Sequence, residues 1–83
     1  MSTENTTEDT AWQTEAIIKA ARDLQQNGTT VTSTSQHIAG AFVLNRPDLL
    51  PLDYRDMIEA WDRLGDWQFH VRLIKHRYMY LVA

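Results

Sequence analysis

The clearest pattern in this chain is an alternation of polar and apolar side chains over residues 66–73, which have the sequence DWQFHVRL. A period of two is typical of a half-buried strand, and Trp, Phe and Val suit a pleated surface. A second apolar run, residues 78–82, follows a short polar patch. The pattern therefore predicts an antiparallel β-hairpin over residues 67–82, with its turn near residues 74–77.

The same run also fits a helix. The apolar residues that recur at helical spacing are Trp67, Val71, Ile74, Tyr78 and Leu81. Such a helix would leave Phe69, Leu73 and Tyr80 on its opposite side, where they would need a second packing partner. We favour the hairpin on this ground, and a small all-α helical bundle is the alternative.

Helices are predicted before this run. Apolar residues recur every three or four positions over residues 11–26, after a cap at Asp9 or Thr10, and Asn27-Gly28 ends this first helix with Gly28 in the left-handed conformation. The β-branched residues 29–32 predict a short strand. Residues 1–9 are polar and predict a disordered tail, which leaves residues 10–83 as the domain.

Two further helices follow the predicted strand. Ser33 and Gln36 have the spacing of a capping box, which predicts a second helix over residues 34–44. Residues 45–52 contain two prolines and predict a loop, with one helical turn at residues 47–50. Asp53 is the expected cap of a third helix over residues 54–64.

The predicted core combines the apolar faces of all these elements. Its expected members are Trp12, Ile17, Leu24, Ile38, Phe42, Ile58, Trp61, Trp67 and Val71. The chain has 83 residues and no cysteine, so a single small core has to stabilise it without disulfides.

Composition narrows the class of protein. No apolar run approaches the roughly 18 residues of a membrane span, and the N-terminus lacks the basic flank and apolar centre of a secretory signal. We therefore expect a cytoplasmic protein without a membrane partner.

Charge is distributed unevenly along the chain. The net charge is −3. Residues 53–66 hold five acids and two arginines, a net charge of −3, whereas residues 67–83 hold three basic residues and no acid. A protein of this balance is no generic polyanion binder, so any nucleic-acid contact has to be local.

The predicted order of helix, short strand, helix, helix and hairpin is similar to that of winged helix-turn-helix domains, over residues 11–83. The segment IIKAARDLQQNGTTVTSTSQHIAGAF resembles the opening of such domains, and AWDRLGDWQFHV resembles their passage from recognition helix into wing. The resemblance implies an α+β fold of three helices and a C-terminal β-hairpin. Two departures are the long connection at residues 45–52 and the acidic third helix, where the family presents polar and basic side chains to DNA.

Catalytic and metal-binding patterns are not found in the sequence. His37 is remote from His70 and His76, which lie six residues apart, so no pair has the spacing of metal ligands. Three glycines form no phosphate-binding loop, and the serines and threonines are explained by the predicted strand and cap. We expect a protein that is not an enzyme and that uses no metal or cofactor.

Two functional hypotheses follow. The first is a small DNA-binding transcriptional regulator that contacts DNA through its basic hairpin and the start of the second helix. Its predicted nucleic-acid-binding residues are Thr34, Ser35, Arg72, Lys75, His76 and Arg77. Because so few phosphate contacts give weak binding, such a regulator would need a homodimer or larger assembly.

The alternative is an acidic adaptor or inhibitor that binds a basic protein surface. The predicted partner-binding residues lie on the third helix and are Asp56, Glu59, Asp62 and Arg63. Charge separates the two hypotheses, since phosphates repel the carboxylates that a basic protein attracts.

Overall fold

The chain folds as a small bundle of helices. The structure, a computed structural model, describes the backbone of residues 2–82 and the side chains of residues 12–82. Its α-helices are α1 (Ser2–Asn27), α2 (Thr34–Val43), α3 (Met57–Leu64), α4 (Trp67–Leu73) and α5 (Met79–Val82). Two 3₁₀ turns, Pro47–Leu49 and Leu52–Tyr54, lie between α2 and α3, and a π-helical turn, Ile74–Tyr78, joins α4 to α5.

The predicted α+β fold with a C-terminal hairpin is wrong. Residues 67–82 are helical throughout, and no strand forms within residues 2–82. The architecture is the all-α bundle that was the alternative, and the wing implied by the winged-helix resemblance is absent from this part of the chain.

The helix at residues 67–82 forms because its neighbours are helices with apolar stripes to cover. Val71 of α4, which packs against α1 and α2, and Ile74 at the start of the π-helical turn are fully buried in the core. Of Phe69, Leu73 and Tyr80, which a helix was expected to leave on its opposite side, Phe69 and Tyr80 are exposed and Leu73 is half-buried. Burial of the face that carries Val71 and Ile74 therefore leaves these aromatic side chains exposed.

The π-helical turn changes which C-terminal side chain is buried. A straight α-helix rotates by about 100° per residue, which would place Leu81 on the same side as Ile74. A π-helical turn contains more residues than an α-helical turn, so the chain rotates about the helix axis by a smaller angle at each residue. The residue that faces the core is therefore one position later than in a straight α-helix. Val82 is only 3% exposed, whereas Leu81 is 43% exposed.

The predicted strand at residues 29–32 is also wrong. These residues form a bent connection, and Val31 is 99% exposed. The Thr30 hydroxyl donates a hydrogen bond of 3.1 Å to Asp23 Oδ2. This bond holds the connection against the C-terminal part of α1. The prediction for Gly28 is confirmed, since its φ of 75° is left-handed and its amide bonds to the Leu24 carbonyl at the end of α1.

The helix ends follow local signals. The capping box of Ser33 and Gln36 is confirmed, and α2 begins at Thr34 as predicted. The helical turn predicted near Pro47 is confirmed as a 3₁₀ turn. The third helix starts later than predicted, because Asp56 caps it in place of Asp53.

Helix α1 extends from Ser2, so it begins before the expected cap at Asp9 or Thr10 and includes residues 2–9 of the predicted tail. Met1 and the side chains of residues 2–11 lie outside the described part of the structure.

The core lies where α1, α2 and α4 meet. Of the predicted core residues, Ile17, Leu24, Ile38 and Val71 are buried, as predicted. The aromatic residues Phe42, Trp61 and Trp67 are partly buried at its margin. Trp12 and Ile58 were placed in the core wrongly and are exposed. Trp12 packs edge to face on Trp67, with 6.0 Å between ring centroids.

Candidate protein-interaction surface

Helix α3 and the residues at its two ends carry a cluster of carboxylates. The Asp56 side chain accepts hydrogen bonds from the Ile58 amide at 2.9 Å and the Glu59 amide at 3.0 Å. This carboxylate therefore satisfies the free N–H groups of the first helical turn. Glu59 and Asp62 remain exposed on the outer side of the helix. Asp56 is thus primarily a structural cap, and Glu59 and Asp62 are the acids available to a partner.

Large apolar side chains lie beside these acids. Ala60 and Leu64 are the buried residues of α3, and their position leaves Ile58 76% exposed. Leu52, in the 3₁₀ turn before α3, is 81% exposed. The sequence placed Ile58 on the inner face because it is large and apolar, but the small Ala60 allows α3 to approach the core on a different side.

A groove opens between α2, the first 3₁₀ turn and α3. It encloses a cavity of about 150 Å³. Its apolar lining consists of Ala41, Phe42, Pro47, Leu50 and Met57, and its polar lining consists of Asn45 and Arg46. Leu50 is buried, whereas Met57 is exposed and links the groove to the outer surface of α3.

The position of the turn at one wall of the groove is fixed by His37. Its Nε2 lies 2.8 Å from the Leu49 carbonyl oxygen, so the imidazole of α2 donates a hydrogen bond to the loop. This bond requires the tautomer that carries its proton on Nε2. His37 therefore holds the wall of the groove and is not a free ligand.

Aromatic rings connect the groove to the C-terminal helices. Trp61 packs edge to face on Phe42, with 5.1 Å between ring centroids. The guanidinium carbon of Arg72 lies 5.4 Å from the centre of the Trp61 ring, which is the range of a cation–π interaction. Arg72 is thereby held against the ring of Trp61.

Lys75 is held at the end of α2. Its Nζ donates hydrogen bonds of 2.6 Å to Asn45 Oδ1 and 3.3 Å to the Phe42 carbonyl oxygen. Asn45 has a left-handed φ of 56°, and the amides of Asn45 and Arg46 bond back to Phe42 and Ala41. This is the Schellman ending of a helix, and the partial negative charge of the carbonyl end of a helix attracts a cation. Lys75 is therefore an anchored charge near the groove.

The structure places the predicted nucleic-acid-binding residues in separate locations. Thr34 and Ser35 lie in the first turn of α2, and Ser35 accepts a hydrogen bond of 3.3 Å from Nη1 of Arg63, a residue of the other predicted site. Arg72, Lys75, His76 and Arg77 are exposed on the C-terminal helical segments and not on the predicted hairpin. The two predicted sites thus meet along α3, which sequence spacing did not indicate.

His70 is buried between α4 and α1. Its Nδ1 lies 3.5 Å from the Thr14 hydroxyl oxygen, and burial lowers the pKa of the imidazole from its ordinary value. Among the described side chains, no three His, Cys, Asp or Glu residues are grouped so that they could hold a metal ion.

No helix within the described residues combines the length and apolar character needed to cross a membrane.

Comparison of the chain with protein-family models, with curated proteins and with solved structures gives no match. Inference about function therefore depends on the surface itself.

Proposed function

We propose that this chain is a non-enzymatic interaction module that binds a protein partner through α3 and the adjacent groove. The observation that carries the proposal is the exposure of Ile58 and Leu52 next to an apolar groove. A chain of 83 residues has few large apolar side chains for its core. Leu52, Met57 and Ile58 are exposed within seven residues of one another, and exposed apolar side chains grouped in this way support a protein-binding surface.

The charges around this surface support an adaptor or inhibitor. Glu59 and Asp62 border the apolar side chains without closing over them. Charged rims of this kind steer a partner and fix its orientation, while the apolar centre supplies most of the affinity. A phosphate-rich partner would be repelled by the same carboxylates.

Site-specific photo-crosslinking tests the proposal. A photoreactive amino acid at Ile58 should form an adduct with one protein in cells, and the same amino acid at Arg22, an exposed site on α1, should not. Ile58→Ser and Glu59→Lys should then weaken binding of the purified partner. Equal adducts from positions 58 and 22, or binding that neither substitution weakens, would contradict the proposal.

The DNA-binding regulator is the second candidate, and a specific observation favours it. Arg72, Lys75 and His76 recur at helical spacing on the C-terminal helices and are exposed. Three phosphate contacts, by Arg72, Lys75 and Arg77, would give a salt slope of about −2.7, from about −0.9 for each. If duplex DNA binds with this slope and Arg72→Ala weakens it while Ile58→Ser does not, regulation through DNA is the function.

A further inference from the structure

We propose that the partner bound by α3 is a second copy of the same chain, in a twofold-symmetric dimer. This inference rests on the proposed function. The surface concerned is named the bipolar surface, because an apolar centre lies between an acidic and a basic flank. Its centre is Ile58 and Trp61, its acidic flank is Glu59 and Asp62, and its basic flank is Arg72 and Lys75.

Contacts within the chain establish the order of these side chains. Ile58 and Asp62 are four residues apart on α3 and therefore share one side of it. Trp61 lies nearer the core and packs on Phe42. Arg72 lies over the Trp61 ring, and Lys75 bonds to the Phe42 carbonyl. The surface thus runs from acid, through apolar and aromatic side chains, to base.

Such an order is complementary to itself. In a twofold dimer, the same patch of both subunits meets with its direction reversed. The acidic flank of one copy then lies against the basic flank of the other, and the two apolar centres meet between them. A uniformly basic partner would be repelled by Arg72 and Lys75, and a uniformly acidic one by Glu59 and Asp62.

The cations of the basic flank are already fixed in the isolated chain. Lys75 is hydrogen bonded to Asn45, and Arg72 is stacked on Trp61. Side chains that are held before association lose less entropy when they bind. The π-helical turn that carries Lys75 agrees with this role, because such turns are frequent at functional sites.

The available area suits a dimer of modest size. A stable interface covers about 800 Å² on each partner. The described chain exposes 5509 Å². An interface of this size would therefore cover about one seventh of the exposed area.

Sedimentation equilibrium of the purified chain tests the inference. The wild-type protein should show twice the 9.6-kDa mass of the chain at micromolar to millimolar concentration. Dissociation should increase with salt, because the flanks are exposed charges. Glu59→Lys and Arg72→Glu should each weaken the dimer at least about tenfold, by placing like charges opposite each other.

Mixing the two variants provides the decisive test of the twofold dimer. A heterodimer of Glu59→Lys with Arg72→Glu restores opposite charges on both flanks, so the mixture should associate more strongly than either variant alone. Arg22→Glu changes charge by the same amount as Arg72→Glu on another surface and should leave association unchanged. Thermal unfolding of each variant confirms that it is folded.

The results separate the inference from the function on which it rests. A wild-type chain that stays monomeric to millimolar concentration, or a mixture no stronger than its components, overturns the dimer. If Ile58 then crosslinks a different protein whose binding Ile58→Ser removes, the interaction module stands with another partner. If Ile58 crosslinks nothing, both proposals fail.

Discussion

A close contact between α1 and α2 depends on Gly40, and adding one methyl group there tests the packing of the bundle. A Cβ atom at this position would lie 3.0 Å from the Ala21 backbone nitrogen, 3.2 Å from the Ala20 carbonyl carbon and 3.2 Å from Leu24 Cδ1. Two of these three atoms belong to the backbone of α1. They cannot move aside by a side-chain rotation, so the helices themselves would have to separate.

Two opposing effects decide the result of Gly40→Ala. Replacing a glycine inside a helix by alanine favours the helix by about 1 kcal/mol. Overpacking a tight contact costs roughly 1–3 kcal/mol. Because the contact is with backbone, we expect overpacking to win and the free energy of unfolding to fall by about 1 kcal/mol. For a domain of this size that is a loss of roughly 4–8 °C in Tm.

Urea unfolding followed by tryptophan fluorescence measures this change. Gly40→Val adds further atoms at the same contact and should be less stable than Gly40→Ala. Gly28→Ala is the matched control, since its Cβ would meet nothing within 4 Å and its cost comes only from the left-handed φ of 75°. A Gly40→Ala variant more stable than the wild type would show that α1 and α2 are not in this close contact.

Three further predictions test single features of the fold. Ser33→Ala removes the side chain that accepts from the Gln36 amide and should lower the free energy of unfolding by about 1 kcal/mol, as measured by urea titration. Val82→Ala should lower the free energy of unfolding by about 2 kcal/mol, because each buried carbon group contributes about 0.8 kcal/mol and a cavity remains. Leu81→Ala should lower it by under about 1 kcal/mol, because Leu81 is partly exposed. Equal losses from the two substitutions would argue against the π-helical turn. Because burial lowers the pKa of His70, the unfolded chain binds a proton more readily than the folded one, so stability should fall as the pH drops below the ordinary value of about 6.5. Comparing Tm at several pH values with that of His70→Gln measures this contribution, and an unchanged slope in the variant would assign the pH dependence to other groups.

Features that depend on a few neighbouring residues could be predicted from the sequence. The Ser33 capping box and the left-handed Gly28 each require only the local chain, and both were predicted correctly. The Schellman ending at Asn45 has a comparable local signal, an asparagine just after a helix. The anchoring of Lys75 at this ending joins residues thirty positions apart and had no such signal.

Features that depend on which face meets the core could not be predicted. Ile58 is larger and more apolar than Ala60, so pattern alone placed it inside, whereas close helix packing favours the smaller residue. The alternation at residues 66–73 was a similar coincidence. Trp67 and Val71 belong both to one face of a strand and to one face of a helix, and only the apolar stripes of α1 and α2 decide between them.

Whether residues 67–82 form a hairpin or a helix also determines where their basic side chains lie. A hairpin would have carried Arg72 and Lys75 to an isolated tip, far from the acids of α3, and a separate basic tip favours a polyanion. A helix that buries Val71 and Ile74 instead directs Arg72 across Trp61 and Lys75 to the end of α2. The positive charge of residues 67–83 and the negative charge of residues 53–66 therefore border one apolar surface. On the surface that we propose, a partner would have to carry both signs of charge, so the proposal of a protein partner rests on this helical arrangement of Arg72, Lys75 and the α3 acids.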